Sequence, residues 1–165
     1  CISDWYYHCC ETRMNKPLHI GLGIVATALL LGLVIPPLTD HEIADVTING
    51  QALTLTAADT WYEHLRGLRG TDLKDLKSDG MLLVYSKEAP RSFSTGGMEF
   101  PVDVVWIKGN KVVRVDSGVQ TSSTTGEDVV LETDPLSVDF IMLLPSAGAK
   151  KSFAVPGNLI TITLD

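Results

Sequence analysis

An uncharged apolar run near the N-terminus is the feature that most constrains this chain. From Leu18 to Ile35 the sequence contains no Asp, Glu, Lys or Arg, and His19 is its one ionisable side chain. As an α-helix the run would be about 27 Å long, close to the roughly 30 Å thickness of a bilayer's hydrocarbon core. Pro36-Pro37 follows, and proline does not continue a helix. We therefore expect a single transmembrane helix within residues 14–37.

The charges on either side of the run predict its orientation. Lys16 precedes it, whereas Asp40 and Glu42 follow it. Positive flanks stay in the cytoplasm, so we expect the N-terminus inside and the remainder of the chain outside the cytoplasmic membrane. A cleaved signal peptide is the alternative, because Ala26-Thr27-Ala28 has the small-x-small form of a cleavage site. That site lies in the middle of the apolar run, so we favour an uncleaved signal anchor over a secreted chain.

The rest of the chain divides into a tail, a linker and one domain. The first residue is Cys, and Met14-Asn15-Lys16-Pro17 has the form of a start, so residues 1–13 are interpreted as a non-native extension or a short cytoplasmic tail. Residues 38–44 form a linker, and residues 45–165 form a domain large enough to bury its own core.

Cysteine usage and charge exclude several functions for this domain. The three cysteines, Cys1, Cys9 and Cys10, all precede the span, which excludes disulfides, thiolate zinc sites and a Cys nucleophile in the domain. From Asp45 onward there are 11 Lys and Arg residues against 16 Asp and Glu residues, a net charge of −5. Neutralisation of phosphates supplies most nucleic-acid affinity, so we expect no nucleic-acid partner.

The domain has the patterns of a β-rich fold with one or two short helices. Asn49-Gly50 between two alternating apolar arms predicts a hairpin with a type I′ turn. Thr60 and Glu63 form a capping box that opens a short helix ending at Gly67, and Trp61, Leu65 and Leu68 are predicted to face the core.

Short strands and turns fill the remainder of the domain. Thr71–Lys77 and Ala147–Phe153 are predicted to form helical turns, and Thr121–Asp128 an exposed loop. The predicted strands are Met81–Tyr85, Val102–Ile107, Lys111–Val115, Val129–Leu131, Phe140–Leu144 and Leu159–Leu164. Many short strands with turns between them predict a compact β-sandwich or a barrel-like domain.

Residues 46–165 resemble the domain of unknown function 192 family, also called uncharacterised protein family 0127. The resemblance is carried by an ordered set of segments that covers nearly the whole domain: Asn49-Gly50, Glu63–Leu68, Asp79–Tyr85, Phe93 through Phe100–Ile107 to Lys111–Val113, and a closing region with Leu143–Pro145, Gly148 and Pro156–Asn158. The resemblance implies a sandwich-like β fold with small helices in a largely prokaryotic family. It implies no activity. Family members usually carry Trp-Met, Asn-Thr and Glu where this chain has Ser94-Thr95, Gly97-Met98 and Leu143, which puts any family site in doubt.

Asp103 is the first candidate for a functional residue, because it interrupts an apolar strand. A buried carboxylate needs a partner, since unpaired burial is costly. It would either contact a ligand or metal, or serve the fold by accepting backbone N–H bonds or pairing with Arg66 or Arg91. The sequence favours the structural role.

The other candidate ligand-binding residues are two arginines and a loop. Arg66, with Arg69 beyond Gly67-Leu68, is suited to grip a carboxylate or phosphate, although a helix C-terminus also favours basic residues. Arg91 begins the loop-rich segment Arg91–Phe100. Gly96 and Gly97 allow either the close approach of a ligand or simply a turn of the loop. Met98 and Glu99, which follow them, complete the candidate set.

The sequence is compatible with two functions. The first is a non-enzymatic binding or accessory module of the prokaryotic cell envelope, with a loop-rich face over Arg91–Phe100. The second is an envelope hydrolase or metal-assisted enzyme that uses Asp103 with Glu99 or His64. The sequence favours the first, because it has no Gly-x-Ser-x-Gly elbow and no metal-ligand spacing. We expect no cofactor, no dedicated metal site and no assigned catalytic residue.

Overall fold

The hairpin that the sequence predicts begins the fold. The computed structural model describes residues 42–146, 148 and 154–165. Strand β1 (Ile43–Ile48) pairs antiparallel with β2 (Gln51–Ala58). Asn49 and Gly50 have φ values of 51° and 79°. Both central positions of a type I′ turn need positive φ, so the turn prediction is confirmed.

Seven strands form one sheet and two form a small second sheet. The larger sheet has the order β6-β5-β8-β3-β2-β1-β9, in which β2 and β3 are parallel; β4 and β7 pair antiparallel apart from it. The remaining strands are β3 (Gly80–Ala89), β4 (Ser92–Ser94), β5 (Val102–Lys108), β6 (Lys111–Val119), β7 (Val130–Glu132), β8 (Val138–Pro145) and β9 (Ile160–Leu164).

The larger sheet curls until its two edges meet. Lys111 at the start of edge strand β6 forms an antiparallel bridge with Leu159, which directly precedes edge strand β9. The backbone N–H of Val112 donates to the carbonyl of Asn158 at 3.0 Å. The domain is therefore mainly β and resembles a half-closed barrel. The prediction of a mainly β domain with short helices is confirmed. Of the two predicted forms, sandwich and barrel-like, the structure is nearer to the barrel-like one, because one curled sheet contains most of the strands.

Apolar clusters cover both faces of this sheet. The cluster within the curl includes Val46, Val105 and Met142, and the cluster on the outer face includes Leu83 and Trp106. Strand β5 contributes to both clusters, which explains its nearly continuous apolar sequence. Successive residues of a strand point to opposite faces, so both sets are buried.

The helices are short, and one prediction about them is wrong. The described part of the chain contains α1 (Trp61–Arg66), α2 (Ser122–Thr125) and a 3-10 turn at Leu73–Asp75. Thr60 and Glu63 form the predicted capping box, and Gly67 ends α1 with φ 48°. Leu68 is buried as predicted, but Trp61 and Leu65 are 77% and 59% exposed.

Trp61 and Leu65 are exposed because helix α1 does not pack into the core, and none of its residues is buried. Apolar spacing along a helix predicts that its residues share a face, not that the face is covered. The segment Thr121–Asp128 also differs from its prediction as an exposed loop. It contains α2, and the side chain of Thr121 is fully buried.

Several predictions fall on residues that the structure does not describe. These are the tail over residues 1–13, the span from Leu18 to Ile35, and all but Gly148 of the helical turn Ala147–Phe153. Among the residues that are described, none of the helices has the length and apolar character needed to cross a membrane.

Candidate functional site

A pocket of about 180 Å³ opens on the outer face of the sheet, beside α1. Helix α1 and the chain that follows it form one wall, β3 and β4 form the floor, and Met98 closes one side. None of the eleven lining residues is acidic. They are His64, Leu65, Arg66, Gly67, Arg69, Leu83, Tyr85, Ser92, Phe93, Ser94 and Met98.

Local interactions at both ends of α1 fix the wall of the pocket. Thr60 Oγ1 accepts the backbone N–H of Glu63 at 3.2 Å, and the Glu63 carboxylate accepts the backbone N–H of Thr60 at 3.2 Å. Near the other end, His64 Nε2 lies 2.9 Å from the carbonyl oxygen of Ala58, which ties the helix to the end of β2. At Gly67 an added Cβ would lie 3.7 Å from the Met98 methyl group.

Tyr85 occupies the centre of the aromatic and cationic side of the pocket. Its ring centroid lies 4.3 Å from that of His64, and the Arg91 guanidinium carbon lies 3.9 Å from the Tyr85 centroid. A guanidinium at that distance makes a cation–π contact. Burial raises the pKa of the Tyr85 phenol above 10.0, and the positive charge of Arg91 acts in the opposite direction.

Arg91 is held by the backbone and keeps one donor without a partner. Its Nη2 donates to the carbonyl of Lys87 at 2.6 Å, and its backbone N–H donates to Thr133 Oγ1 at 2.7 Å. Its Nε is buried and has no hydrogen-bond partner among the described residues. Such groups are rare in native proteins.

The other two arginines of the site are also without carboxylate partners. The ion pairs found in the described residues are Lys74–Asp72, Lys108–Glu88 and Arg114–Asp116. Arg66 and Arg69 line the pocket and take part in none of these ion pairs. In a domain that carries a net charge of −5, two lining arginines without a carboxylate partner among the described residues, with Arg91 stacked on Tyr85, form a local concentration of positive charge.

The glycine loop that follows β4 packs against this site. Gly97 has φ 73°, and its carbonyl accepts the backbone N–H of Gly70 at 3.0 Å. An added Cβ at Gly97 would lie 3.6 Å from Arg69 Cγ, whereas at Gly96 it would lie 2.6 Å from Asp128 Oδ2. The first contact is ordinary and the second is too close, so Gly96 is the position where the loop has no space for a side chain.

The structure brings some of the predicted site residues together and leaves others apart. Arg66 and Met98 line the pocket, Gly97 packs on Arg69, and Arg91 stacks on Tyr85. Glu99 is exposed and is not a lining residue.

Asp103 is buried away from the pocket, at 1% exposure, and accepts the backbone N–H of Gly118 at 2.6 Å. This is one of the structural partners that the sequence suggests. Alternation along β5 places Val102 and Val104 on the pocket's face of the sheet and Asp103 on the other.

Of the lining residues, Arg69 was predicted beside Arg66, but Tyr85 was not. No local motif marks Tyr85. The one available signal was the aromatic residue at the end of the buried Met81–Tyr85 run, followed six residues later by an arginine.

The enzymatic alternative gains no support from this geometry. The hydrogen bond of His64 goes to the Ala58 carbonyl, and that of Asp103 comes from the Gly118 backbone, so the two residues serve different parts of the fold. In residues 42–146, 148 and 154–165 no three His, Cys, Asp or Glu side chains are grouped closely enough to hold a metal ion.

Two solved structures share the fold at low sequence identity. One, described as a candidate transcription regulator from Sinorhizobium meliloti 1021, is 15% identical, with a TM-score of 0.61 over 73% of this chain and 92% of the other. The second, a protein of unknown function from Novosphingobium aromaticivorans DSM 12444, is 16% identical, with a TM-score of 0.61 over 77% of this chain and 90% of the other. Identities this low show the fold alone.

The sequence itself matches one family model. Among curated proteins no significant match is found. The model of DUF192, whose description is Uncharacterized ACR, matches residues 44–162, which is most of the chain. Neither the family nor the structural neighbours have an established activity in these descriptions. The chain therefore belongs to the DUF192 family of uncharacterised proteins.

Proposed function

We propose that the domain is a non-enzymatic binding module whose ligand is a small organic anion. The observation that carries this proposal is the pair of arginines that line the pocket, Arg66 and Arg69, neither in an ion pair within the described residues. Arg91 stacks on the lining residue Tyr85. Guanidinium groups bind carboxylates and phosphates through paired N–H donors. The ligand's charged group is therefore a carboxylate or a phosphate.

The remaining lining residues define the rest of the ligand. Leu83, Phe93 and Met98 belong to the apolar cluster on this face and present a floor without charge. Ser92 and Ser94 add hydroxyl groups, and Tyr85 adds a ring. Pockets that combine an apolar lining with a few placed polar groups are typical of small-molecule sites. The expected ligand has an apolar body with one anionic end.

The charge of the domain does not favour a role on DNA. The Sinorhizobium protein with the same fold is described as a candidate transcription regulator. In this chain the domain has a net charge of −5. DNA binding relies on many Lys and Arg contacts to phosphates, and one pocket lined by two arginines does not supply a basic surface of that extent.

We also propose that the chain is anchored in the cytoplasmic membrane by the run from Leu18 to Ile35, with the domain outside the cytoplasm. The support is the length of the uncharged run and the position of Lys16 before it. Cell fractionation with mass analysis of the mature N-terminus tests this. A chain found in the membrane with Lys16 intact supports the anchor, whereas a soluble chain that starts after Ala28 identifies a cleaved signal.

A matched pair of ligands tests the anion pocket. Benzoate and benzamide have nearly the same shape, but only benzoate carries a negative charge. We expect benzoate to shift the NMR signals of pocket residues such as Gly67 and Ser94 in the chain held in detergent micelles, and benzamide to shift them far less. Equal responses to both compounds, or none to either, would contradict the proposal.

Arginine variants assign the effect to the pocket. Arg66→Gln and Arg69→Gln remove exposed guanidinium groups, so the fold is not at risk. We expect each to weaken benzoate binding about tenfold, because a charged hydrogen bond contributes about 1.5–3 kcal/mol. Lys74→Gln, which removes an exposed cation that pairs with Asp72 outside the pocket, is the control and should leave the affinity unchanged.

A further inference from the structure

Helix α1 presents large apolar side chains to solvent, although it belongs to a folded domain. None of its residues is buried. Trp61, Tyr62 and Leu65 are 77%, 59% and 59% exposed, and the Trp61 and Tyr62 rings pack edge-on with centroids 6.0 Å apart. Contiguous exposed apolar residues on a soluble domain mark an interaction surface. We call Trp61, Tyr62 and Leu65, together with Arg66 and Arg69, the α1 face.

The charges of the α1 face are positive. Residues three or four apart are neighbours on a helix, so Leu65 lies beside Trp61 and Arg66 lies beside Tyr62. Neither Arg66 nor Arg69 belongs to an ion pair of the described residues. The one carboxylate of the helix, Glu63, is turned towards the helix start, where it accepts the N–H groups of Asp59 and Thr60. The helix therefore shows aromatic rings and cations together.

We propose that the α1 face docks on the surface of an anionic lipid bilayer. Trp and Tyr prefer the interface between headgroups and acyl chains, because their rings are apolar at one end and polar at the other. Arginine side chains beside them are attracted to anionic headgroups. The face thus combines the two features by which short surface helices bind membranes, and this charge complementarity selects a lipid surface as the occupant.

The connection between the expected span and β1 is short, so an anchor at this span would hold the domain close to the bilayer. Seven residues separate Ile35, the last residue of the apolar run, from Ile43, the first residue of β1. Fully extended they cover about 25 Å. A domain tethered this closely experiences a high effective concentration of lipid. Docking therefore does not require the α1 face to have a high affinity for lipid.

The docking proposal concerns the surface of the helix, whereas the proposed function concerns the pocket. Leu65, Arg66 and Arg69 belong to both the pocket and the α1 face. Trp61 and Tyr62 do not line the pocket, so Trp61 fluorescence reports on docking separately from benzoate binding. A chain that binds benzoate but does not dock on membranes would contradict only the docking proposal. A chain that docks but does not bind benzoate would contradict only the pocket proposal.

Fluorescence of Trp61 tests the docking. The chain contains Trp5, Trp61 and Trp106, and Trp106 is fully buried. In a Trp5→Phe background, the difference between the chain with Trp61 and its Trp61→Phe variant isolates the emission of Trp61. The chain is reconstituted into vesicles of phosphatidylcholine, with or without phosphatidylglycerol, and bromine-labelled phosphatidylcholine serves as the quencher within the membrane.

We expect Trp61 emission to shift to the blue and to be quenched by the brominated lipid in the vesicles that contain phosphatidylglycerol. High salt, or the double variant Arg66→Gln, Arg69→Gln, should reverse both effects. As a control for position, Leu159→Trp in the Trp61→Phe background places the reporter at another exposed apolar site, 65% exposed, and should remain accessible to aqueous acrylamide.

Two results would overturn the docking proposal. In the first, Trp61 keeps the emission of a water-exposed indole and is quenched equally by acrylamide with and without anionic lipid. In the second, Trp61 is protected from acrylamide in the vesicles but is not quenched by the brominated lipid. That result would mean that the α1 face is covered by a second copy of the chain.

Discussion

The carboxylate of Asp103 accepts the backbone N–H of Gly118 at 2.6 Å, at the point where strands β5 and β6 change register. Val102 pairs with Val119 and Val104 with Asp116, so β6 contains one residue more than β5 between these pairs. Gly118 has φ 66°, the left-handed conformation that glycine adopts at such a bulge. A bulge leaves a backbone N–H without its ladder partner, and Asp103 satisfies it.

This arrangement predicts that Asp103 contributes to stability. Asp103→Ala leaves the half-buried N–H of Gly118 without the Asp103 acceptor, and we expect the free energy of unfolding to fall by about 2 kcal/mol. Asp103→Asn retains an oxygen that can accept the same bond, so its loss should be smaller, about 1 kcal/mol. Chemical denaturation followed by circular dichroism measures both.

Asp139→Ala is the matched control for Asp103. Asp139 Oδ1 also accepts a glycine N–H, that of Gly109 at 2.8 Å, but this bond is exposed to solvent. Water can replace it, so we expect a loss well below that of Asp103→Ala. If the Asp103 variants were as stable as the parent chain, the carboxylate would not be needed by the fold, and ligand screens should then begin at Asp103.

A second prediction concerns the close approach of β3 and β8 at Gly80. A Cβ at this position would collide with the carbonyl oxygen of Leu143 and would lie 3.0 Å from Leu144 Cδ2. The backbone of a central strand cannot move without disturbing its ladder, so we expect Gly80→Ala to lower the free energy of unfolding by about 3 kcal/mol. Thermal and chemical unfolding of the purified chain would show this loss.

Gly109→Ala provides the comparison for Gly80→Ala. At Gly109 an added Cβ meets no atom within 4 Å, but φ is 56°. Only backbone strain is expected there, about 1 kcal/mol. A Gly109 variant that is less stable than the Gly80 variant would show that the close contact between β3 and β8 is not the dominant effect.

Local sequence patterns predicted the elements of this fold better than they predicted its site. The Asn49-Gly50 turn and the Thr60 capping box depend on residues close together in the chain, and both are confirmed. The pocket depends on the course of β3, whose pairing with β8 is interrupted between Val84 and Ala89. Strand alternation gives no position for Tyr85 within that interruption, so its contact with Arg91 could not be deduced.

The exposure of Trp61 was missed for a different reason. The spacing of apolar residues in α1 is the same whether the helix packs on a core or leaves its face in solvent. Burial is decided by what else covers the sheet. The outer-face cluster includes Leu68, Phe93 and Met98 but no residue of α1.

The capping box supports a third prediction. Thr60→Ala removes the acceptor for the backbone N–H of Glu63, and we expect the free energy of unfolding to fall by about 1 kcal/mol. Thr60→Ser keeps the hydroxyl and should remain near the parent value. Hydrogen exchange at His64 and Leu65 separates fraying of α1 from a global change, because fraying raises exchange in the helix alone. An alanine variant with unchanged stability and unchanged exchange would contradict the role of the cap.

The fourth prediction follows from the buried phenol of Tyr85. Burial raises its pKa above 10.0 in the folded chain, so the folded state holds the proton more tightly than the unfolded state. Below about pH 10 both states are protonated and the stabilisation is fully present. As the pH rises further, the unfolded chain loses the proton first, and stability falls until the folded phenol also ionises. Tyr85→Phe removes this ionisation, so its free energy of unfolding should decline less steeply in alkaline solution.

Tyr62→Phe is the control that makes the comparison specific to Tyr85. Tyr62 is 59% exposed and does not line the pocket, and its replacement also removes one phenol from the chain. We expect the Tyr85 variant to decline less steeply with pH than the Tyr62 variant, because folding buries the Tyr85 phenol and leaves the Tyr62 side chain exposed. If the Tyr85 and Tyr62 variants declined equally with pH, burial of Tyr85 would have no energetic consequence. Tyr85 would then be accessible to water even with Arg91 stacked on its ring.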